Sequence, residues 1–459
     1  NRLRFARQVI EAVRGEVGRD LIVGLRLVGD EYAPWAGIKP EDAAEIAKHL
    51  ADDGRIDFIS VTSGSIYTGH LTRPGLYQPP GFAVHLAALI KAAVALPVFA
   101  QGSIVDPGMA AALLVEGKAD AVEMTRALIA DPELPAKLRQ NRIDDIRPCL
   151  LANQDNIIGL VQNPRLSCAN HPAAGHEGEA EFTPLIPARN PHRVLVVGGG
   201  PAGLEAARVA ALRGHRVTLY ERSQRLGGAL RLAAAAPGRE RLALAVDWLE
   251  TQIRKLDVSV RFGVEVTEDI VRREAPEIVI VAVGGKSNRW AEVRYPESVP
   301  VLTPRQVLGG EVPASPGRAV VLDAIGDPVG MGVTEWLAER GWQVEVVTSD
   351  MFVGQRLTAS LELTAWNQRA AARGIGFRPQ FEVREVAARS VIGVDRFDRR
   401  EICLDEVDLV VDVTPEVPDE TLYFALKASG LRVIRAGDCV APRSLAQAIL
   451  EGYRAGREA

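Results

Sequence analysis

Residues 193–221 read RVLVVGGGPAGLEAARVAALRGHRVTLYE. An apolar run ends on a glycine turn, an alanine-rich helical stretch follows, and a second apolar run closes on an acid, which predicts strand, turn, helix and strand. Gly198, Gly200 and Gly203 supply G-x-G-x-x-G directly after the first strand, and Glu221 stands at the end of the second. The glycines permit a tight turn and let the backbone approach a pyrophosphate at the helix N-terminus, while the carboxylate accepts ribose hydroxyls. A lone glycine pattern is weak evidence. Here strand, helix, second strand and acid agree, so the unit is expected to bind an adenine dinucleotide.

Downstream, VVLDAIGDPVGMGVTEWLAERGWQVEVVT (320–348) lays over the same unit, with Gly330 meeting Gly203 and Gly341 meeting Gly214. Ile325 replaces Gly198, Asp327 replaces Gly200 and Thr348 replaces Glu221, so this turn is less open and its second strand offers no carboxylate to a ribose. Two readings stay open: a nicotinamide dinucleotide held differently, or a retained fold with poor nucleotide binding. The apolar runs at 277–285 and 408–415, and a strand with Gly437 and Asp438 before the closing helix, are expected to return to the first nucleotide domain. One nucleotide domain interrupted by another explains that order.

Upstream, strand-like runs at 21–27, 56–61, 97–100 and 121–124 alternate with helical runs. Near-continuous apolar strands with crossover helices predict parallel strands, in an open α/β sheet or in part of a closed barrel. The chain opens directly in an amphipathic pattern with Phe5, Val9, Ala12 and Val13 on one side, so it is expected to begin inside a domain. Loops after parallel strands carry chemistry in this architecture. Gly102 and Ser103 follow the third strand, Thr125 and Arg126 the fourth. A backbone amide, a hydroxyl and a guanidinium suit a phosphate, the alternative being helix caps and a surface arginine. Arg26 sits inside an apolar strand, as a buried salt bridge or a cofactor contact. Tyr67 and His70, in VTSGSIYTGH, are the local choices for lining a substrate face, or are simply solvated or packed.

A length of 459 residues implies about two to three domains. With 47% apolar and 25% charged residues the chain reads as globular, and 54 basic against 59 acidic residues, a net charge of −5, argue against a broad nucleic-acid footprint. Apolar runs stop short of a membrane-spanning length, so no membrane association is expected. The 4 cysteines form no disulfide framework and no signal peptide is visible, so a cytoplasmic setting is expected.

The stretches GLRLVGDE, FAQGSIVDP, ALIADPEL, IRPCL, LSCANHPAAG and GDCVAPR, with the 198–221 unit, resemble the multidomain relatives of old yellow enzyme. That group contains dienoyl-CoA reductase and the trimethylamine, dimethylamine and histamine dehydrogenases. The resemblance implies an α/β chain holding the C-terminal half of a TIM barrel that binds FMN (1–145), a degenerate cluster loop and connector (146–191), and a Rossmann-like FAD/ADP-binding domain (192–305 and 401–459) with an inserted NAD(P)-binding-like domain (306–400). It places Arg26 beside the flavin ring and Gly102, Ser103 and Arg126 at the FMN phosphate. Gly198, Gly200, Gly203 and Glu221 fall at the FAD or ADP, with Asp438 at its sugar–pyrophosphate region. Thr125 departs from the group's glycine.

The group's four-cysteine loop holds a 4Fe-4S cluster. Cys149 and Cys168 keep the outer positions, but the second falls on Ala152 and the third on Asp155 or Asn156. None of these supplies a thiolate, so a conventional cluster is not expected and no metal ligand set is assigned. The resemblance further implies a flavin-dependent oxidoreductase with FMN, FAD and NAD(P)H as cofactors. Its reaction is NAD(P)H-linked reduction of an activated alkene or oxidative attack on an amine. Its partners are a small-molecule substrate, an electron-transfer protein and further copies in an oligomer. The competing reading is a non-catalytic or electron-transfer subunit, and the residues leave the catalytic acid or base unknown.

Overall fold

Four parallel strands, β1 (Gly24–Asp30), β2 (Phe58–Ser63), β3 (Val98–Ala100) and β4 (Ala121–Val122), lie side by side in chain order in the unit Asn1–Pro135. The computed structural model describes residues 3–153, 166–182, 184–290, 293–295 and 299–459. Leu25, Ile59 and Val98 are in register, as are Leu27, Val61 and Ala100. These rows pack on Ala43, Ala47 and Leu50 of the helix Pro40–Asp52 and on Leu86 and Ile90 of the helix Val84–Ala93. Because side chains alternate across a strand, the row Arg26, Ser60 and Phe99 turns to the opposite face. There Phe58 stacks on Phe99 with ring centroids 4.5 Å apart. The helix Pro40–Asp52 starts on proline and carries Glu41 and Asp42 in its first turn, matching the helix dipole at that end.

The helix Arg4–Val17 leaves Phe5, Val9 and Val13 exposed and buries Arg14. The guanidinium donates to the carbonyls of Arg55, Gly18 and Leu21 and pairs with Asp57 at 2.6 Å, which ties the helix to the start of β2.

In the unit Ala136–Ala459, residues 193–221 form β5 (Arg193–Val197), the helix Pro201–Leu212 and β6 (Arg216–Glu221), followed by β7 (Ser259–Phe262) and β8 (Ile278–Val281). The chain leaves by β9 (Gly285–Lys286) into a second fold with β10 (Val301–Leu302), β11 (Arg318–Asp323), β12 (Gln343–Val347) and β13 (Gly376–Arg378). An antiparallel meander follows, β14 (Phe381–Val386), β15 (Ser390–Asp395) and β16 (Glu401–Asp405), and then β17 (Leu409–Val413). It returns by β18 (Val417–Pro418), antiparallel to β9, to β19 (Arg432–Arg435) and the closing helix Leu445–Glu458. The two parallel sheets have the orders β19-β8-β5-β6-β7 and β10-β17-β11-β12-β13.

The run 408–415 therefore does not return to the first nucleotide sheet as expected; β17 pairs with β10 and β11 inside the second. All residues of β8 and of β17 are buried. A strand covered on both faces carries no alternation that marks the sheet it joins. The chain is thus an α/β protein, a barrel-like parallel sheet followed by a Rossmann-like fold with a second such fold set within it. Among the described residues no helix is long and apolar enough to cross a membrane.

Candidate functional site

Hydrogen bonds between loops shape the C-terminal ends of β1 to β4. The Glu31 carbonyl after β1 accepts from Ser65 Oγ at 3.2 Å and Thr68 Oγ1 at 2.7 Å after β2. Held together in this way, the two loops set Trp35 and Tyr67 edge to face with ring centroids 6.0 Å apart. Both rings are largely exposed, at 68% and 70%. His70 is half-buried one short turn further on, and burial pushes its imidazole below its ordinary range, so it is neutral near pH 7.

After β3, Gly102 has φ +126°, and a Cβ there would lie 2.9 Å from the Ala83 Cβ and 3.0 Å from its nitrogen. Arg126, beyond β4, donates from Nη2 to Ser103 Oγ at 2.6 Å and from Nη1 to the Pro74 carbonyl at 2.7 Å. Gly102, Ser103 and Arg126 are thus brought together, while Thr125 is exposed beside them. Arg26 is exposed, not buried, so its reading as a buried salt bridge is corrected: the sheet face it occupies is the one the helices do not cover. Its Nη2 donates to Gln101 Oε1 at 3.1 Å. Because guanidinium only donates, this bond orients the Gln101 amide and leaves Nε2 buried with no hydrogen-bond partner among the described residues.

In the first nucleotide fold the three glycines have different reasons. A Cβ on Gly198 (φ +106°) would sit 2.3 Å from the Ala282 carbonyl oxygen, and one on Gly203 would sit 1.9 Å from that of Gly198. A Cβ on Gly200 meets no atom within 4 Å, so the chain's own packing does not demand glycine there. Glu221 Oε2 accepts from the Gly199 amide and Oε1 from the Ser223 amide, each at 2.8 Å. A cleft of about 450 Å³ runs beside this carboxylate, lined by Gly198, Glu221, Val266, Val283, Lys286 and Thr421 among others. Gly437 packs against Ala202 at the start of the glycine-turn helix, which brings Asp438 to that end of the fold. Burial holds the Asp438 carboxyl above its usual range, against a hydrogen bond from the Arg443 amide.

Residues 1–145 match the model of the NADH:flavin oxidoreductase / NADH oxidase family, and residues 196–256 that of an NAD(P)-binding Rossmann-like domain. The chain is 33% identical over 508 residues to the N,N-dimethylglycine/sarcosine dehydrogenase of Chromohalobacter salexigens, covering 99% of this chain and 71% of that protein. Over 462 residues it is 34% identical to the NADH oxidase of Thermoanaerobacter brockii, covering 99% and 69%. The chain belongs to the NADH:flavin oxidoreductase / NADH oxidase family. The solved structure of histamine dehydrogenase from Rhizobium sp. 4-9 superposes on it with a TM-score of 0.93 at 27% identity, over 100% of this chain and 68% of that one. It is a flavin-dependent oxidoreductase.

The barrel-like face of this flavin oxidoreductase fits an FMN. A buried donor without a partner costs about 1–3 kcal/mol, and Gln101 Nε2 suits the acceptor edge of a flavin ring. Ser103 and Arg126 supply donors for a phosphate. The connector fits an iron–sulfur cluster poorly. Cys149 is buried, Cys168 bridges to His171 through the backbone, and burial pushes the Cys168 thiol up, with Cys149 adding to the rise. Ala152 has no donor atom, and Asp155 and Asn156 lie outside the described residues. Among the described residues no group of three or more His, Cys, Asp or Glu side chains is placed to hold a metal ion. Sequence reasoning missed Trp35 and Gln101. A tryptophan in the polar loop after a strand was a usable sign for the first, whereas nothing local marks Gln101.

Proposed function

We propose that this flavin oxidoreductase oxidises a small amine at the strand ends of its first unit. The exposed Trp35–Tyr67 pair carries the reading, since aromatic faces attract an ammonium group by about 0.5–2 kcal/mol. Relatives with amine-directed names support it: the N,N-dimethylglycine/sarcosine dehydrogenase and, at 35% identity, a probable N-methylproline demethylase of Rhizobium meliloti. Arg26 and Gln101 hold the ring of an FMN, and Gly102, Ser103 and Arg126 hold its phosphate. When bound, FMN supplies the hydride acceptor. Trp35 and Tyr67 orient the ammonium, and at their exposed face its proton passes to water, leaving the free amine that gives up hydride most readily.

The first nucleotide fold holds FAD or a related adenine nucleotide on Gly200 and Glu221, with Asp438 at its sugar–pyrophosphate region. The connector acts as a linker without a conventional 4Fe-4S cluster, and electrons leave to an external acceptor.

Anaerobic mixing of the purified holoprotein with N-methylated amino acids, alkylamines and activated alkenes tests the reading. Amines are expected to bleach the flavin absorbance, and Trp35→Leu and Tyr67→Leu each to raise the amine KM about tenfold, the equivalent of about 1.4 kcal/mol, with FMN content unchanged. Bleaching by none of the amines, or an amine KM indifferent to both substitutions, defeats it.

A further inference from the structure

We infer that the inserted nucleotide fold is closed to dinucleotides, so that NAD(P)H is not a hydride source for this chain. The family model at 196–256 describes the first fold, and the second shares its strand, turn, helix and strand without its open turn. In a nucleotide-binding turn, backbone amides and the helix N-terminus face the pyrophosphate. Here three such amides bond to carboxylates of the chain itself, where in the first fold Glu221 takes the Gly199 amide. Asp323, fully buried at the end of β11, accepts from the amides of Ile325 at 3.1 Å and Gly326 at 2.9 Å. Asp327, at the N-cap of the helix Pro328–Ala338 and in the place of Gly200, accepts from the Val329 amide at 2.8 Å.

The space over the turn is filled as well. A Cβ on Gly326 would lie 3.1 Å from Asp350 Oδ2 and 3.3 Å from the Gln355 nitrogen, and the Gly326 carbonyl accepts from the Arg356 amide at 2.9 Å. The segment after β12 therefore folds onto the turn. Asp323, Asp327 and Asp350 gather negative charge where a pyrophosphate would bring more. Of the cations facing Asp327, Arg239 is already engaged by Glu362 at 3.2 Å, and Arg356 is exposed. At the place of Glu221, Thr348 is buried and its Oγ1 accepts from the Asp350 amide at 3.2 Å.

The inference does not depend on the amine reading and is tested separately. The holoprotein with its retained cofactors is given NADH or NADPH up to about 1 mM, the weak end of specific binding. Amide deuterium exchange of the peptide 324–330 and anaerobic flavin absorbance are followed together. Exchange in that peptide is expected to be unchanged by either nucleotide and the flavin to stay oxidised. Slower exchange there, or bleaching by either nucleotide with or without it, overturns the inference. A holoprotein that no amine reduces, with the peptide still indifferent to both nucleotides, sinks the amine reading alone.

Discussion

Gly200 and Gly203 share one turn and respond differently to a side chain. The Gly203 Cβ would collide with the Gly198 carbonyl oxygen at 1.9 Å, so Gly203→Ala is expected to lower Tm by an overpacking cost of about 1–3 kcal/mol. A Cβ on Gly200 meets no protein atom within 4 Å, so Gly200→Ala is expected to keep the wild-type Tm while losing the adenine nucleotide released on denaturation. Full retention would place the pyrophosphate elsewhere. Asp323 makes a second residue-scale prediction. Burial raises its carboxyl from 3.8 to about 6, the Gly326 and Ile325 amides oppose the rise, and Asp327 and Asp350 add to it. Between those two values the folded state keeps a proton that the unfolded chain has lost, so stability falls as pH rises through this window and stays lower above it. The gap is worth roughly 3 kcal/mol. Asp323→Asn should flatten the profile of Tm against pH from about 4 to 7; an unchanged slope would assign that titration to another group.

At the scale of elements, the closing helix Leu445–Glu458 holds the glycine-turn helix through small residues. Cβ atoms on Gly452 and Gly456 would lie 2.2 Å and 2.6 Å from the carbonyl oxygens of Ala202 and Ala206. Gly452→Val forces the helices apart next to Gly437 and Asp438, with an expected loss of about 1–3 kcal/mol and weaker nucleotide retention. A thermal melt and an adenine assay check both, and a variant with normal Tm and full nucleotide would show that the contact yields freely. These helices are legible in the sequence because a pattern of spaced apolar residues and a cap is local. The sheet that β17 joins is not, since burial on both faces erases the alternation that would mark it.

Across the larger unit, Arg147 links the connector to the nucleotide fold. Its guanidinium lies 4.1 Å over the Trp248 ring and 3.7 Å from Glu205, which also pairs with Arg208 at 2.7 Å. Burial alone would raise the Glu205 carboxyl, but Arg208 and Arg147 outweigh it and hold it below its usual range. That contribution is present above the unfolded value of 4.5 and is lost as pH falls through the lower folded value. Glu205→Gln breaks a buried pair and is expected to cost about 3–5 kcal/mol near neutral pH, read as a fall in Tm that narrows in acid; a neutral substitution would show that other groups compensate. The amino-acid sequence by itself determined the alternation of strands and helices in the first unit, the glycine turn with its acid and the altered second turn. Each of these rests on spacing between near neighbours, which backbone geometry converts directly into local structure. Only the tertiary structure decided that Arg26 is exposed, that Trp35 meets Tyr67, that Gln101 keeps a buried donor without a partner among the described residues, that β17 sits in the second sheet and that residues 350–356 close over the second turn. Those facts depend on contacts between segments far apart along the chain, and hydrophobic periodicity carries no record of which distant segments will meet.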